Sequence, residues 1–411
     1  MAEILNICIL VIVISGFLAG QVISFLNHRS RKNPVPPVLE GVYSPDRYQQ
    51  YLLYKSDSFR FGMLISWLSF IATLVMLLGG FVLIDDFVRS VFQNPILQSL
   101  LFFGIIGLAA DLLSTPFDLY DTFVIEQKYG FNKSTPAIYI SDKLKSWFLA
   151  AVIGGGLISL IVWLYTLLGN SFWWLAWISI SSFSIFFSLF YSSIIVPLFN
   201  RQTPLEPGDL RNKLNDLAVR TGFDLTDIFI IDGSKRSTRA NAYFSGFGSK
   251  RRIVLYDTLI QNQTPDQITA VLAHEIGHYR KKHTIKTLVL SIVQTGVILF
   301  LFSVVVGNPD IYLALGSSGN SFHLGLIVFM ILYSPISSIT SVITNYLSRM
   351  FEFQADRFAV ENADPLAMAS SLRLLTSDNL SDLTPHPWHV FLNYTHPPLD
   401  QRLERILKNS E

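Results

Sequence analysis

Residues 264–307 read TPDQITAVLAHEIGHYRKKHTIKTLVLSIVQTGVILFLFSVVVG, and the two halves of this stretch demand opposite surroundings. The first half opens on Thr264-Pro265-Asp266-Gln267: an N-cap, a proline at the first helical position and a glutamine three residues after the cap. That combination predicts a helix running on through residues 270–282. Within it, His274-Glu275-Ile276-Gly277-His278 sets two histidines four residues apart, so both imidazoles leave the same face and can reach one metal ion. Glu275 stands beside that face, where it can take a proton from an attacking water and deliver it to a leaving amine. Val271, Leu272, Ala273 and Ile276 around the motif predict a buried helix, not one carrying two solvated histidines. The second half, residues 287–307, is long and apolar enough to cross a hydrocarbon layer of about 30 Å. A hydrolytic metal site thus runs almost directly into a membrane span.

Composition agrees with that surrounding. Half of the 411 residues are hydrophobic and 15% are charged, too few charges to solvate a soluble domain of this length. A formal net charge of +1 supplies no field for nucleic acid, and no such partner is expected. Cys8, the single cysteine, lies inside an apolar run, which excludes a disulfide framework and cysteine-based metal sites. Histidine and carboxylate must hold any metal.

Seven stretches read as membrane spans: residues 4–26, 61–84, 95–113, 147–168, 172–199, 287–307 and 322–347, the third interrupted by Asp111. The first begins Met1-Ala2-Glu3, without a positive n-region, and is read as a retained anchor. The loops alternate in charge. Lys and Arg gather after the first span (Arg29, Arg31, Lys32), after the third (Lys128, Lys133), after the fifth (Arg201 onward) and after the seventh. The second loop carries only Arg89, and the fourth and sixth carry neither Lys nor Arg. The positive-inside bias then sets the N-terminus outside, or lumenal, and the C-terminus in the cytosol.

Two polar regions lie on the cytosolic side. Residues 201–286 read as a small mixed segment, with a helix over 210–221, strand-type runs at 227–232 and 252–256, and a third strand candidate at 240–247. Residues 352–411 read as mostly helical, with a loop around 384–398. The predicted fold class is an all-α polytopic membrane protein with a small α+β cytosolic zinc-protease domain. Its expected parts are a five-span membrane domain (1–200), the α+β segment ending in the metal helix (201–286), spans six and seven (287–347), and a helical segment completing the site (348–411).

A catalytic zinc needs three protein ligands and an open position. Glu352 and Asp356, just past the seventh predicted span, share a helix face. Either Glu352 binds the metal while Asp356 accepts the outer N–H of a liganding histidine, or both acids pair with Arg349 and Arg357 at the interface. His283, beside Lys281 and Lys282, is out of register with the ligand face and is read as an interfacial cation, whereas His323, His386 and His389 have no motif.

The motif at 274–278, followed far downstream by Glu352-Phe353-Gln354-Ala355-Asp356, resembles the type I CAAX prenyl proteases, integral-membrane zinc endopeptidases of the gluzincin type. Asn241-Ala242-Tyr243-Phe244, Tyr394-Thr395-His396-Pro397-Pro398 and Phe123-Val124-Ile125-Glu126 continue the likeness in the family's order. The resemblance implies seven transmembrane helices enclosing a water-filled chamber. It implies one Zn2+ per chain held by His274, His278 and Glu352, with Asp356 behind a ligand. It also implies that His396 stabilises the tetrahedral intermediate and that Asn241, Ala242 and Tyr243 hold substrate backbone. The expected partners are the lipid bilayer and a peptide or prenylated-protein substrate cut at its C-terminal tripeptide. The final residues, Lys408-Asn409-Ser410-Glu411, carry no dilysine signal, so a bacterial inner membrane stands beside the endoplasmic reticulum as the expected location. Two other readings are a membrane quality-control protease with no prenyl requirement and a transporter with a structural zinc. The second would need four protein ligands and no Glu275.

Overall fold

Among the described residues of the computed structural model, six helical segments are long and apolar enough to cross a membrane. They are Ala2–Ser30, Pro45–Val91, Pro95–Glu126, Pro136–Phe199, His283–Val305 and Phe322–Asn362. The structure describes residues 1–408 apart from 225–226, 246–251, 318 and 320. The seven predicted spans map onto these six segments, because Pro136–Phe199 contains both 147–168 and 172–199. Gly169 breaks the helix between those two, at a φ of 55° in the left-handed region that glycine enters without a Cβ clash. Asp111 does not interrupt its helix. Its carboxylate accepts a hydrogen bond from Trp147 Nε1 at 2.9 Å and pairs with Lys143 Nζ at 3.0 Å. Only 6–17% of each segment's most apolar window is buried within the chain, so the apolar surface left over needs lipid as its solvent.

The polar residues after the fifth predicted span form a four-stranded sheet of order β1-β2-β4-β3. β2 (Asp227–Ile231) and β4 (Arg252–Tyr256) are parallel, in the register Ile230 opposite Leu255. β3 (Ala242–Ser245) lies antiparallel to β4, with Tyr243 opposite Val254, and is an edge strand. The third predicted strand therefore exists in shortened form, and its last residues, 246–247, lie outside the described residues. β1 (Gln202–Pro204) was not legible: three residues ending in proline show no alternation, and pairing with β2 alone makes them a strand.

The motif helix, Pro265–Arg280, starts at the predicted capping box: Thr264 Oγ1 accepts from Gln267 N and Gln267 Oε1 from Thr264 N. Leu272 and Ile276 anchor it in one apolar core with Leu214, Ile253, Leu255, Met368 and Leu403. Helices Asp209–Thr221, Pro365–Asp378 and Leu399–Lys408 and the sheet all feed that core. On its other side the motif helix meets Phe322–Asn362. A Cβ on Gly277 would come 3.0 Å from Ala355 Cα and Phe358 Cβ, so glycine lets the two backbones approach where His274, His278 and Glu352 meet. The chain then turns sharply at Lys282 (φ 57°), and the next helix starts at His283. The predicted loop 384–398 contains a short helix, Pro387–Asn393, whose first turn is capped by His386.

Away from this site, fully buried Asp85 gathers Ser321 Oγ at 2.5 Å, His323 Nε2 at 2.8 Å and Ser317 Oγ at 3.0 Å, with Arg89 Nε at 3.6 Å. His323 thus has a buried structural role that no sequence motif announced.

Candidate active site

Helix spacing sets His274 and His278 on one face, and the close crossing at Gly277 brings Glu352 opposite them. The two Nε2 atoms lie 3.1 Å apart. Glu352 Oε2 is 3.4 Å from His274 Nε2, and Glu352 Oε1 is 3.3 Å from His278 Nε2. Ligand atoms about 2.0–2.1 Å from a tetrahedral ion stand roughly 3.3–3.4 Å apart, so the three side chains fit one such ion. These are the three residues that group as a metal-holding set among the described residues.

Outer contacts set the tautomers. His274 Nδ1 lies 2.8 Å from Asp356 Oδ1, and Asp356 is gripped by Arg402 through Nε at 2.8 Å and Nη2 at 2.6 Å. His278 Nδ1 lies 3.1 Å from His283 Nδ1, whose other nitrogen is 3.0 Å from Gln354 Oε1. An amide oxygen only accepts, so His283 Nε2 donates to it, His283 Nδ1 accepts, and His278 Nδ1 carries its ring's proton. With both protons on Nδ1, two Nε2 lone pairs and a carboxylate converge on one point. Glu352 Oε2 there is buried without a hydrogen-bond donor. Such a donor set suits a cation. Of the two readings of Glu352 and Asp356, the interfacial one fails: Arg349 donates to the carbonyls of Val390 and Tyr394, and Arg357 pairs with Glu361.

His283 corrects the expectation of an interfacial cation. It is buried, stacked on Phe351 at 4.2 Å, and wedged between His278 and Gln354. A helix continued from His278 would turn its fifth residue away, but the turn at Lys282 restarts the register and swings His283 back.

Glu275, half-buried, lines the clefts on both sides of the ligands. Burial pushes its carboxyl above the ordinary carboxylate range, as suits a base. His396 sits at the open side with Nε2 3.4 Å from Glu352 Oε1, its ring mostly exposed and held by Thr395 Oγ1 at 3.0 Å. Asn241 and Ala242 line the main cleft beside His274 and Glu275. The side chain of Tyr243 does not; strand alternation turns it into a neighbouring cavity lined by Tyr191 and Tyr256.

A helix pair that presents two histidines, a glutamate and a second free carboxylate inside a membrane-spanning chain defines the class of membrane-embedded metallopeptidases. Two family models match: one described as the CAAX prenyl protease N-terminal region with five membrane helices, over residues 25–201, the other as peptidase family M48, over residues 204–410. A "CAAX prenyl protease 1 homolog" of Oryza sativa is 33% identical over 395 residues, covering 92% of each chain. "CAAX prenyl protease 1" of Saccharomyces cerevisiae is 32% identical over 433 residues, covering 96% of this chain and 94% of its own. The crystal structure of S. mikatae Ste24p superposes with a TM-score of 0.92 at 31% identity, covering 98% of this chain and 99% of that one. The chain belongs to peptidase family M48, in its CAAX prenyl protease branch. It is an integral, multi-pass membrane metalloendopeptidase acting on peptide or protein substrates, and the transporter reading is set aside.

Proposed function

We propose that this metalloendopeptidase uses one zinc ion, held by His274, His278 and Glu352, to cut extended peptides, and that its substrates are proteins carrying a prenylated C-terminal CAAX sequence. The observation that carries the metal assignment is the 3.1–3.4 Å spacing of two histidine Nε2 atoms and the two oxygens of one carboxylate, with both imidazole tautomers leaving Nε2 lone pairs pointing inward. The bound ion supplies Lewis acidity toward water and the scissile carbonyl. The remaining work falls to the side chains. Glu275 takes the proton of the attacking water and returns it to the departing amine. His396, at the open side of Glu352, donates toward the negative charge that develops on the carbonyl oxygen. Asp356, braced by Arg402, holds the ring of His274. The edge of β3 accepts substrate as an added strand: Ala242 offers its main-chain groups there, flanked by Asn241 and Tyr243, whose main chain is turned to β4 (Asn241 O accepts from Tyr256 N at 3.1 Å), and the Asn241 side chain, which now accepts from Ala242 N at 2.9 Å, can turn to substrate.

The prenyl requirement is supported by the names of the relatives, and the cytosolic setting of the site by the charge bias of the loops. In that orientation the N-terminus is outside or lumenal, the spans number seven around the implied chamber, and the membrane is a bacterial inner membrane or that of the endoplasmic reticulum. The test is cleavage of a farnesylated C-terminal peptide beside its unprenylated twin by purified zinc-loaded protein, with and without chelator. Chelator-sensitive release of a tripeptide from the farnesylated peptide supports the reading. Equal cleavage of the twin removes the prenyl requirement in favour of quality control, and no cleavage of either contradicts the substrate assignment.

A further inference from the structure

The cleft that holds the ligands continues, past Ala240, Asn241, Asn379 and Ser381, into a second cavity of about 710 Å3. Three cations line that second cavity, Lys55, Arg236 and Arg239, and no carboxylate does. Two of the three are partly engaged elsewhere. Arg239 Nη2 pairs with Glu126 at 3.0 Å, and Arg236 pairs with Asp142 through Nε at 2.6 Å and Nη2 at 2.9 Å. Arg236 Nη1 nevertheless has no acceptor. Lys55 Nζ lies 5.5 Å from the centroid of the Tyr54 ring, and no carboxylate among the described residues pairs with it. Asp382, which lines the main cleft, is held by Arg31 at 3.0 Å and Tyr51 at 2.9 Å and attracts Lys55 only through space, with no ion pair between them. An ammonium without an ion-pair partner, in a cavity lined by two further cations and no carboxylate, suits an anion.

Direction along the edge says which anion. A peptide added antiparallel to β3 runs opposite to it, so its C-terminal half passes Asn241 and Ala240 toward Arg239 and the cavity. An extended chain advances about 3.4 Å per residue, so three residues carry the terminus roughly 10 Å beyond the cut. The reverse orientation would bring only main chain, or a cationic N-terminus, to Lys55.

We propose that this cavity is the binding site for the free C-terminal carboxylate of the substrate, with Lys55 as its principal contact and Arg236 and Arg239 adding positive charge to its wall. It rests on the peptidase reading above and deepens it: the enzyme measures a short, carboxylate-ended tail from the cut, and the charge fixes the direction of the substrate on β3.

The test uses two farnesylated peptides that differ only in ending as carboxylate or carboxamide. Zinc-loaded wild type cleaves the acid with a kcat/KM about ten- to a hundredfold above the amide, as for loss of a charge-assisted hydrogen bond, and the ratio shrinks with added salt. Lys55→Met brings the ratio toward one, and Lys55→Arg keeps a clear preference for the acid. Equal cleavage by wild type, or an undiminished ratio in Lys55→Met, overturns the proposal. Binding of both peptides to zinc-loaded Glu275→Gln, read by calorimetry, keeps the question apart from turnover. If wild type cuts neither peptide, the peptidase reading fails. Tighter binding of the acid than of the amide, lost in the Glu275→Gln/Lys55→Met double variant, then still supports the cavity's role. Equal binding overturns it.

Discussion

His283 Nδ1 stands 3.1 Å from His278 Nδ1, and through Nε2 the same ring reaches Gln354 Oε1 at 3.0 Å. One glutamine oxygen therefore sets, through two imidazoles, which nitrogen of His278 carries the proton and which turns to Glu352. Asp356 does the same for His274 across a separate contact of 2.8 Å.

Replacing His283 by leucine removes the acceptor for His278 Nδ1–H, and zinc affinity should fall roughly 10- to 100-fold. His283→Asn, whose carbonyl can accept the same proton, should recover part of the loss. Competitive zinc titration of the purified protein reads both; a leucine variant that binds zinc like wild type contradicts the relay.

Asp356→Ala should weaken zinc by a similar factor, about 10- to 100-fold. It also leaves buried Arg402 facing only Glu352 Oε2, at 3.7 Å, so thermal stability should drop as well. Asp356→Asn keeps an acceptor for His274 and should retain more zinc than the alanine variant. Equal zinc affinity in wild type and Asp356→Ala would leave that carboxylate as a partner of Arg402 alone.

The Asp85 cluster predicts a loss without a catalytic signature. Asp85→Ala strands three donors in a buried site, and should cost about 3–5 kcal/mol, as for breaking a buried ion pair. Melting of the detergent-solubilised protein should fall while zinc stoichiometry stays at one. An unchanged melting temperature would show that water replaces the carboxylate there.

For orientation, Cys8→Ser provides a cysteine-free background, since Cys8 is itself exposed. A cysteine at Gln93 should react with an impermeant thiol reagent from the outside of intact cells, and one at Glu206 should not; both positions are exposed in the structure. The opposite labelling inverts the topology drawn from loop charge.

What sequence revealed of this molecule was local. The capping box at Thr264, the four-residue spacing of His274 and His278, and the shared face of Glu352 and Asp356 are decided within one or two helical turns, and the structure retains each of them. Pairings across long sequence separations were hidden. Asp85 meets His323 from 238 residues away, and β1 is a strand only because β2 lies beside it. His283 was misjudged because helical register was carried through Lys282, whose left-handed backbone restarts it. The cationic cavity escaped notice because Lys55 and Arg236 meet only in three dimensions.

Parallel measurement of zinc content and peptidase rate in wild type, Glu275→Gln and His274→Ala tests the assigned roles most directly. Glu275→Gln keeps all three ligand side chains but loses the base, so zinc should remain near one per chain while cleavage falls to background. His274→Ala should lose both. A Glu275→Gln protein that cleaves near the wild-type rate, or one that has lost its zinc, would contradict the division of the site into three ligands and a base.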